Sequence, residues 1–406
     1  MPTNVKENGF ESSIVSWLVQ HNGYEQGSNA DYNKEIAMDE TRLFRFLNTT
    51  QADKMKQLRL ENDPLEKEKF LQRLDQSLHT NGVIDLLRKG FRYKHLVLDM
   101  FYVRPSPGNE TAAKLYAQNI FSVTRQLQYS RQNPLLALDV CLFLNGLPIA
   151  TMELKNQLTK QNAADAVKQY KDERTPDEVL FGFKRCIVHF AVDDNEVRMC
   201  TELKGQKSWF LPFNKGYNDG AGNPPNPDGI KTDYLWKEIL RKDDFSNIIE
   251  NYVQIICDED EETHKKSYKQ IFPRYHQLQL VTSLLADAKR DGVGKRYLIQ
   301  HSAGSGKSNS IAWLAHQLVT LKDATDHNIF DTVIVVTDRV NLDKQIRNTI
   351  RQFMQVSSTV GWAKDSSELG TLLEKGTKII ITIVHKFQFI PVSYTHLRAH
   401  ETDSYL

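Results

Sequence analysis

The chain has 406 residues, 40% hydrophobic and 25% charged, with 52 Lys and Arg against 51 Asp and Glu. That length holds two or three domains with ample core, and the balanced charge confines any nucleic-acid surface to a local patch. No apolar run is long enough to span a membrane, the four cysteines lack Cys-x-x-Cys spacing and read as reduced thiols, and the opening residues carry no secretory apolar region, so the cytoplasm is expected.

In chain order, Phe10, Ile14, Trp17 and Leu18 recur at helical spacing and predict an amphipathic helix. Glu11, beside that apolar face, could extend a metal site, but a solvated helix acid is the favoured reading. Asp63 and Pro64 supply the N-cap and first residue of a polar helix running to about His79, stopped by Asn81-Gly82. Residues 119–130 predict a strand with Val123, Leu127 and Tyr129 on one face, flanked by Arg125 and Arg131.

The most informative stretch runs from Leu135 to Lys155. Two apolar, β-favouring runs flank Asn145-Gly146, a strong hairpin signal. Asp139, Glu153 and Lys155 interrupt them, and a charge inside an apolar strand is costly unless paired or bound to metal. Glu153 and Lys155 share a strand face. A two-residue Asn-Gly turn would pair Leu144 with Leu147, set Asp139 opposite Met152 and turn it away from Glu153. A three-residue loop, Leu144 to Gly146, would pair Phe143 with Leu147 and set Asp139 opposite Thr151, diagonal to Glu153. The three-residue loop is the expected one. Two carboxylates and a lysine so placed suit phosphodiester hydrolysis, with Asp139 and Glu153 holding Mg²⁺ and Lys155 positioning or deprotonating the attacking water. A surface hairpin with an ordinary ion pair has the same spacing, since acid-x-Lys recurs at Glu202–Lys204 and Asp287–Lys289. The apolar residues on both sides of the trio favour a site.

Residues 162–170 predict a short helix, and 186–192 with 196–203 a hairpin turning at Asp193 to Asn195. Glu202 and Lys204 with Asp193 or Asp194 form a rival set, ranked second because turn carboxylates are normally solvated. His189, among apolar neighbours, reads as a core histidine. The Gly/Asn/Pro-rich loop 205–229 carries Trp209, Phe210 and Phe213, which suggest that it packs. Residues 234–252 return to helical periodicity, and the acidic run 258–262 followed by Lys265-Lys266 marks a break. The expected domains are therefore 1–257, a charged linker 258–270, and a second domain from 271.

There, Leu278, Val281, Leu284 and Leu285 predict a helix, and 297–300 a short buried strand leading into His301-Ser-Ala-Gly-Ser-Gly-Lys-Ser308. Ile311, Leu314, Ala315 and Leu318 mark the helix that follows. This is the context of a phosphate-binding loop. Backbone N–H groups of Gly304, Ser305 and Gly306 curl around the β-phosphate of ATP, Lys307 reaches the β/γ-phosphates and Ser308 ligates Mg²⁺. Strands at 331–337 and 378–384 continue a parallel α/β sheet of RecA-like type.

Asp139 with Glu153-Leu-Lys155 resembles the PD-(D/E)xK nuclease motif. The two halves together resemble the restriction (R) subunit of type I restriction–modification enzymes, over about residues 10–390. Asn145 to Pro148, Trp209 to Phe213 and Gly222 to Pro225 are similar to family signatures. Arg274 and Gln277 match the adenine-reading element of superfamily two motors. Thr337 to Arg339 with Leu342 and Gln345, and Thr382 with His385 to Phe387, resemble later motor motifs. The resemblance implies a restriction-endonuclease-like mixed sheet flanked by helices, then part of a RecA-like motor domain to residue 390. It implies ATP-driven translocation and Mg²⁺-dependent cutting of double-stranded DNA, with methylation and specificity subunits as partners. Two departures stand out. Tyr170 fits the family's Gln-x-x-x-Tyr, but Ala166 holds the glutamine position, leaving Gln169, Gln161 or nothing in that role. Residues 391–406 lack the expected Asp-Glu-Ala-His box and read as a non-native tail, so the chain reads as truncated, able to bind ATP weakly and scarcely to hydrolyse it. Two other readings remain: a helicase or remodeller whose N-terminal domain only binds DNA, and a non-catalytic module that docks on partner subunits.

Overall fold

The computed structural model describes residues 7–105, 108–156, 160–259, 263–323, 325–338, 340–352 and 360–389. Arg339, the side chains of Leu342 and Gln345, and the tail 391–406 lie outside them. The chain divides into two compact units, Met1–Tyr275 and His276–Leu406.

The first unit is built on a seven-stranded mixed sheet. Its strands are β1 (Glu25–Gln26), β2 (Phe121–Gln128), β3 (Ala137–Leu144), β4 (Leu147–Leu154), β5 (Val188–Val192), β6 (Val197–Cys200) and β7 (Leu211–Pro212), neighbours in that order. β1 runs parallel to β2 and β5 parallel to β4, and the other pairs are antiparallel. Every residue of β4 is buried, as a central strand covered on both faces requires. Helices flank the sheet. The predicted first helix is α1 (Glu7–Gln20), packed on β2 and β4. Next come α2 (Glu40–Thr50) and α3 (Pro64–Asn81), the latter capped as its sequence predicts: Asp63 accepts from the Glu66 N–H at 3.0 Å. A parallel β4–β5 pair needs a crossover, and α4 (Ala163–Glu173) supplies it, opened by a reciprocal capping box between Asn162 and Asp165.

The central hairpin corrects the expected register. Asn145 and Gly146 take φ values of +51° and +82° and form a two-residue turn, so Leu144 pairs with Leu147 and Phe143 with Pro148. A Cβ on Gly146 would meet the Asp39 carbonyl and the Leu43 backbone. The Asn145 side chain, fully buried, accepts from the Ile120 N–H at 2.7 Å and donates to the Met100 carbonyl at 2.9 Å. The irregularity falls later, where Ile149 is an extra residue and pairing resumes at Leu142–Ala150, Cys141–Thr151 and Val140–Met152. Pro148 explains its place, because a residue without an N–H cannot continue a ladder and is tolerated next to a bulge. One step beyond Val140 and Met152, Asp139 stands across from Glu153.

Two other expectations are corrected. The charged segment 258–270 is no open linker, since Gln254–Glu259 and Lys266–Ile271 pair as an antiparallel hairpin. Its charges are partly cross-strand partners (Lys269 to Asp258, 2.9 Å), and Gln270 donates to the Cys186 and Ile187 carbonyls at 2.8 Å each, tying the hairpin into the first unit. Residues 234–252 form three short helical pieces, Leu235–Ile239, Lys242–Asn247 and Ile248–Tyr252, the outer two of π type.

The second unit contains α5 (Tyr275–Asp291, from the boundary), α6 (Lys307–Leu318), β8 (Val333–Thr337), α7 (Val340–Gln352), β9 (Val360–Trp362), α8 (Ser366–Glu374) and β10 (Ile379–Ile383). The three strands are parallel, with β10 between β8 and β9. The strand expected at 297–300 is not formed. Leu298 is fully exposed, and no neighbour among the described residues takes up that segment's backbone groups. Among the described residues, no helix is long and apolar enough to cross a membrane.

Candidate functional site

The β3–β4 register brings the two carboxylates together in the first unit. The Leu154 N–H donates to Asp139 Oδ2 at 2.8 Å, and Gln126 Nε2 donates to Asp139 Oδ1 at 3.2 Å. Glu153 is fully buried, and its Oε1 accepts from Arg174 Nε at 2.6 Å. Its other oxygen, Oε2, is buried with no hydrogen-bond partner. Burial first, and the neighbouring Asp139 carboxylate second, push the Glu153 carboxyl well above its ordinary range, against the pull of Arg174. Either a proton shared with Asp139 or a cation would satisfy Oε2. Lys155, two residues along the same strand, is also buried, and its N–H donates to the Val192 carbonyl at 2.8 Å. Among the described residues no three His, Cys, Asp or Glu side chains cluster as a metal site. A hard cation here would take two carboxylates and complete its shell with water or phosphate oxygens, as Mg²⁺ commonly does.

Arg174, just past the end of α4, carries much of this arrangement and is not among the residues that the sequence motifs single out. Its guanidinium is almost fully buried, donating also to the Tyr129 hydroxyl at 2.9 Å and the Ala137 carbonyl at 2.8 Å. It therefore bridges the two strands that carry the carboxylates. Burial opposes its charge, but Glu153 and Tyr129 hold its pKa above the ordinary value. Arg174 follows Tyr170 by four residues, a spacing that puts both on one side of a helical turn. That was the available signal.

Tyr170 is buried, and its hydroxyl lies 2.8 Å from Thr151 Oγ1, which lies 2.7 Å from His189 Nδ1. Thr151 precedes Glu153 by two on β4, so this chain of polar groups backs the carboxylate pair on the same face. Burial pushes His189 down to about 3 and keeps it neutral, as a core histidine should be. Ala166 packs in the core beside Tyr170. Gln169 donates to Glu173 on its own helix and Gln161 is exposed. The glutamine that meets the carboxylates is Gln126 on β2. Glu11, expected in solvent, is buried and paired with Arg125 Nε at 2.6 Å and Gln126 Nε2 at 2.8 Å.

The rival set is not assembled. Lys204 pairs with Glu202 at 2.7 Å near the surface. Asp193 is buried, but as a turn anchor: it accepts from the Asn195, Glu196 and Ala163 N–H groups. In the loop 205–229, Phe213 is buried against Phe190 and Phe272, and Phe210 packs on Tyr170, whereas Trp209 is exposed.

In the second unit, Gly304 and Gly306 take φ values of +73° and +83°, and α6 starts at Lys307. Gln277 is buried beneath this turn, donating to the Gly306 carbonyl at 2.9 Å and the Ser305 carbonyl at 3.3 Å. His301 Nδ1 lies 2.8 Å from Ser305 Oγ. Burial first, then His276 and Lys307, hold His301 below its usual pKa and so favour its neutral form. Lys307 is exposed and Ser308 half-buried, at the mouth of a helix N-terminus suited to phosphate. Arg274 falls in the first unit, across the division from Gln277.

Comparison with known proteins matches both units. The family model of the type I restriction enzyme R protein N terminus matches residues 4–208, and that of the SWI2/SNF2 ATPase matches 276–404, reaching into the tail set apart by its sequence. The type I restriction enzyme HindI endonuclease subunit of Haemophilus influenzae is 25% identical over 284 residues, 67% of this chain and 25% of the relative. The type I restriction enzyme SauMSSORF170P endonuclease subunit of Staphylococcus aureus is 25% identical over 389 residues, 94% of this chain and 37% of the relative. The chain thus spans about a quarter to a little over a third of the length of these relatives.

Proposed function

The chain belongs to the type I restriction enzyme R protein N-terminal family, and from that premise we propose that its first unit is the DNA-cutting domain of a type I restriction endonuclease. The sheet and helices are then a restriction-endonuclease-like fold, and the second unit is part of a RecA-like, ATP-driven DNA translocase. The observation that carries the reading is the unpartnered Oε2 of Glu153 beside Asp139. A buried carboxylate oxygen left without a donor is costly, and a divalent cation relieves that cost.

Bound Mg²⁺ supplies Lewis acidity toward the scissile phosphate and lowers the pKa of a water nucleophile. Glu153 offers Oε2 to the ion while Arg174 holds Oε1, so its geometry is set before substrate arrives. Asp139 offers the remaining lone pairs of oxygens already oriented by Leu154 and Gln126. Lys155 orients the attacking water or takes its proton. Tyr170 acts behind them, keeping Thr151 and hence the β4 face in place. In the second unit, backbone N–H groups of Gly304 to Gly306 cradle the ATP phosphates, Lys307 neutralises them and Ser308 ligates their Mg²⁺. Gln277 supports the loop from below. Double-stranded DNA is the substrate, the methylation and specificity subunits are the partners, and the cytoplasm is the place of action.

The test uses full-length subunit assembled with those partners. Asp139→Ala and Glu153→Ala are expected to lower DNA cleavage by more than about 100-fold while ATP hydrolysis and translocation persist. Unchanged cleavage would instead favour a motor whose N-terminal unit only binds DNA.

A further inference from the structure

We propose that Gln126 restricts the carboxylate site to a single divalent cation. The inference rests on Asp139 and Glu153 being cation ligands and adds what determines how many ions they take. On β2, Arg125 pairs with Val140 and Leu127 with Leu138, but Gln126 between them leaves the ladder and takes a φ of +45°. A residue with a Cβ adopts that left-handed conformation at a cost, so something local must hold it there. What holds it is its side chain. One amide nitrogen spends its two hydrogens on carboxylates from different elements, Glu11 Oε2 on α1 at 2.8 Å and Asp139 Oδ1 on β3 at 3.2 Å.

That amide stands where a second cation would bridge Glu11 and Asp139. Gln126 is itself exposed, so ions from solvent can reach the position, and the donor rather than lack of access keeps them out. The fixed charges agree. Glu11 is matched by Arg125 and Glu153 by Arg174, each at 2.6 Å. One divalent ion is tolerable because Glu153 Oε2 lacks a partner and a phosphodiester brings further negative charge. A second ion would add two more positive charges within about 4 Å of the first, so it is held only weakly unless a further acid is supplied. Replacing the amide by a carboxylate supplies that acid.

The experiment counts Mn²⁺ bound by the chain, by calorimetry and by electron paramagnetic resonance, without DNA or nucleotide. A Ser308→Ala background removes the hydroxyl ligand of the phosphate loop. One Mn²⁺ is expected, lost in Asp139→Ala and in Glu153→Ala. Gln126→Glu should raise the count to two, and adding Glu11→Gln should return it to one. Gln126→Met, of similar volume and without the amide, should also admit a second, weaker ion, and it stands in if Gln126→Glu fails to melt cooperatively. Two ions in the unaltered chain, one of them lost on Glu11→Gln, would overturn the proposal, as would a single ion in both folded Gln126 variants. No Mn²⁺ at all in the unaltered chain would instead overturn the reading of Asp139 and Glu153 as ligands.

Discussion

The two candidate sites solve opposite problems. At the carboxylate pair, Glu153 is drawn into the sheet and the two acids are braced by other parts of the chain: Arg174 after α4, Gln126 on β2 and the Leu154 backbone. At the phosphate loop the charged group, Lys307, stands in solvent, and the bracing stops at backbone carbonyls held by Gln277. A buried carboxylate must be compensated before its ion arrives, because an isolated buried charge is prohibitively costly. A loop that binds phosphate through backbone N–H groups carries no such charge and needs only the right dihedral angles. Stability and chemistry are therefore coupled in the first unit and separable in the second.

The sharpest way to break that contrast is Arg174→Met. Leaving Glu153 buried without its partner should cost about 3–5 kcal/mol in urea-induced unfolding, and Arg174→Met with Glu153→Leu should recover much of it. A small loss in the single variant would mean that Glu153 is not compensated as described. Next comes pH. Folded His189 stays neutral down to about 3, whereas in the unfolded chain it titrates near 6.5. Below about 6.5 only the unfolded chain takes up this proton, so stability should fall as pH drops from there toward 3, by about 1.4 kcal/mol per unit. A flatter profile in His189→Asn assigns the slope to this residue. In the second unit, Gly306→Ala should cost about 1–2 kcal/mol, since a Cβ at φ +83° also meets the Gln277 amide, and should weaken ATP binding in an equilibrium titration. Lys307→Ala should leave stability within about 0.5 kcal/mol while lowering nucleotide affinity at least tenfold. A destabilised Lys307→Ala would erase the distinction between the two sites.

The same contrast governs what could be read from the residues alone. The turn at Gly304 to Gly306 and the helix after it were legible because their signal is local, and so were the helix starts at Asp63-Pro64 and Asn162, where a cap and its partner lie within one turn. The carboxylate pair was legible as a composition anomaly but not as a geometry. Asn145-Gly146 announced a turn, yet the residue that decides the register is Pro148, whose missing N–H moves the bulge to Ile149. The expected loop was wrong while the shared face of Asp139 and Glu153 was reached by another route. Glu11 carried a clue in its spacing from Ile14 and Leu18, which places it on the apolar stripe. Gln126 carried none, since its role depends on a ladder break opposite Asp139. The failed strand at 297–300 makes the converse point: a local pattern favours a strand, and only a neighbour makes one.

The interior position of Asn145 and Gly146 has one more consequence. Hairpin tips are ordinarily where a protein accepts epitope tags, inserted domains or new termini. Here the tip is sealed by Asp39, Leu43, Met100 and Ile120, contributed by segments remote in the chain. The two strands that carry the acids are thereby tied at their tip to those segments, which makes this tip a poor place for any graft.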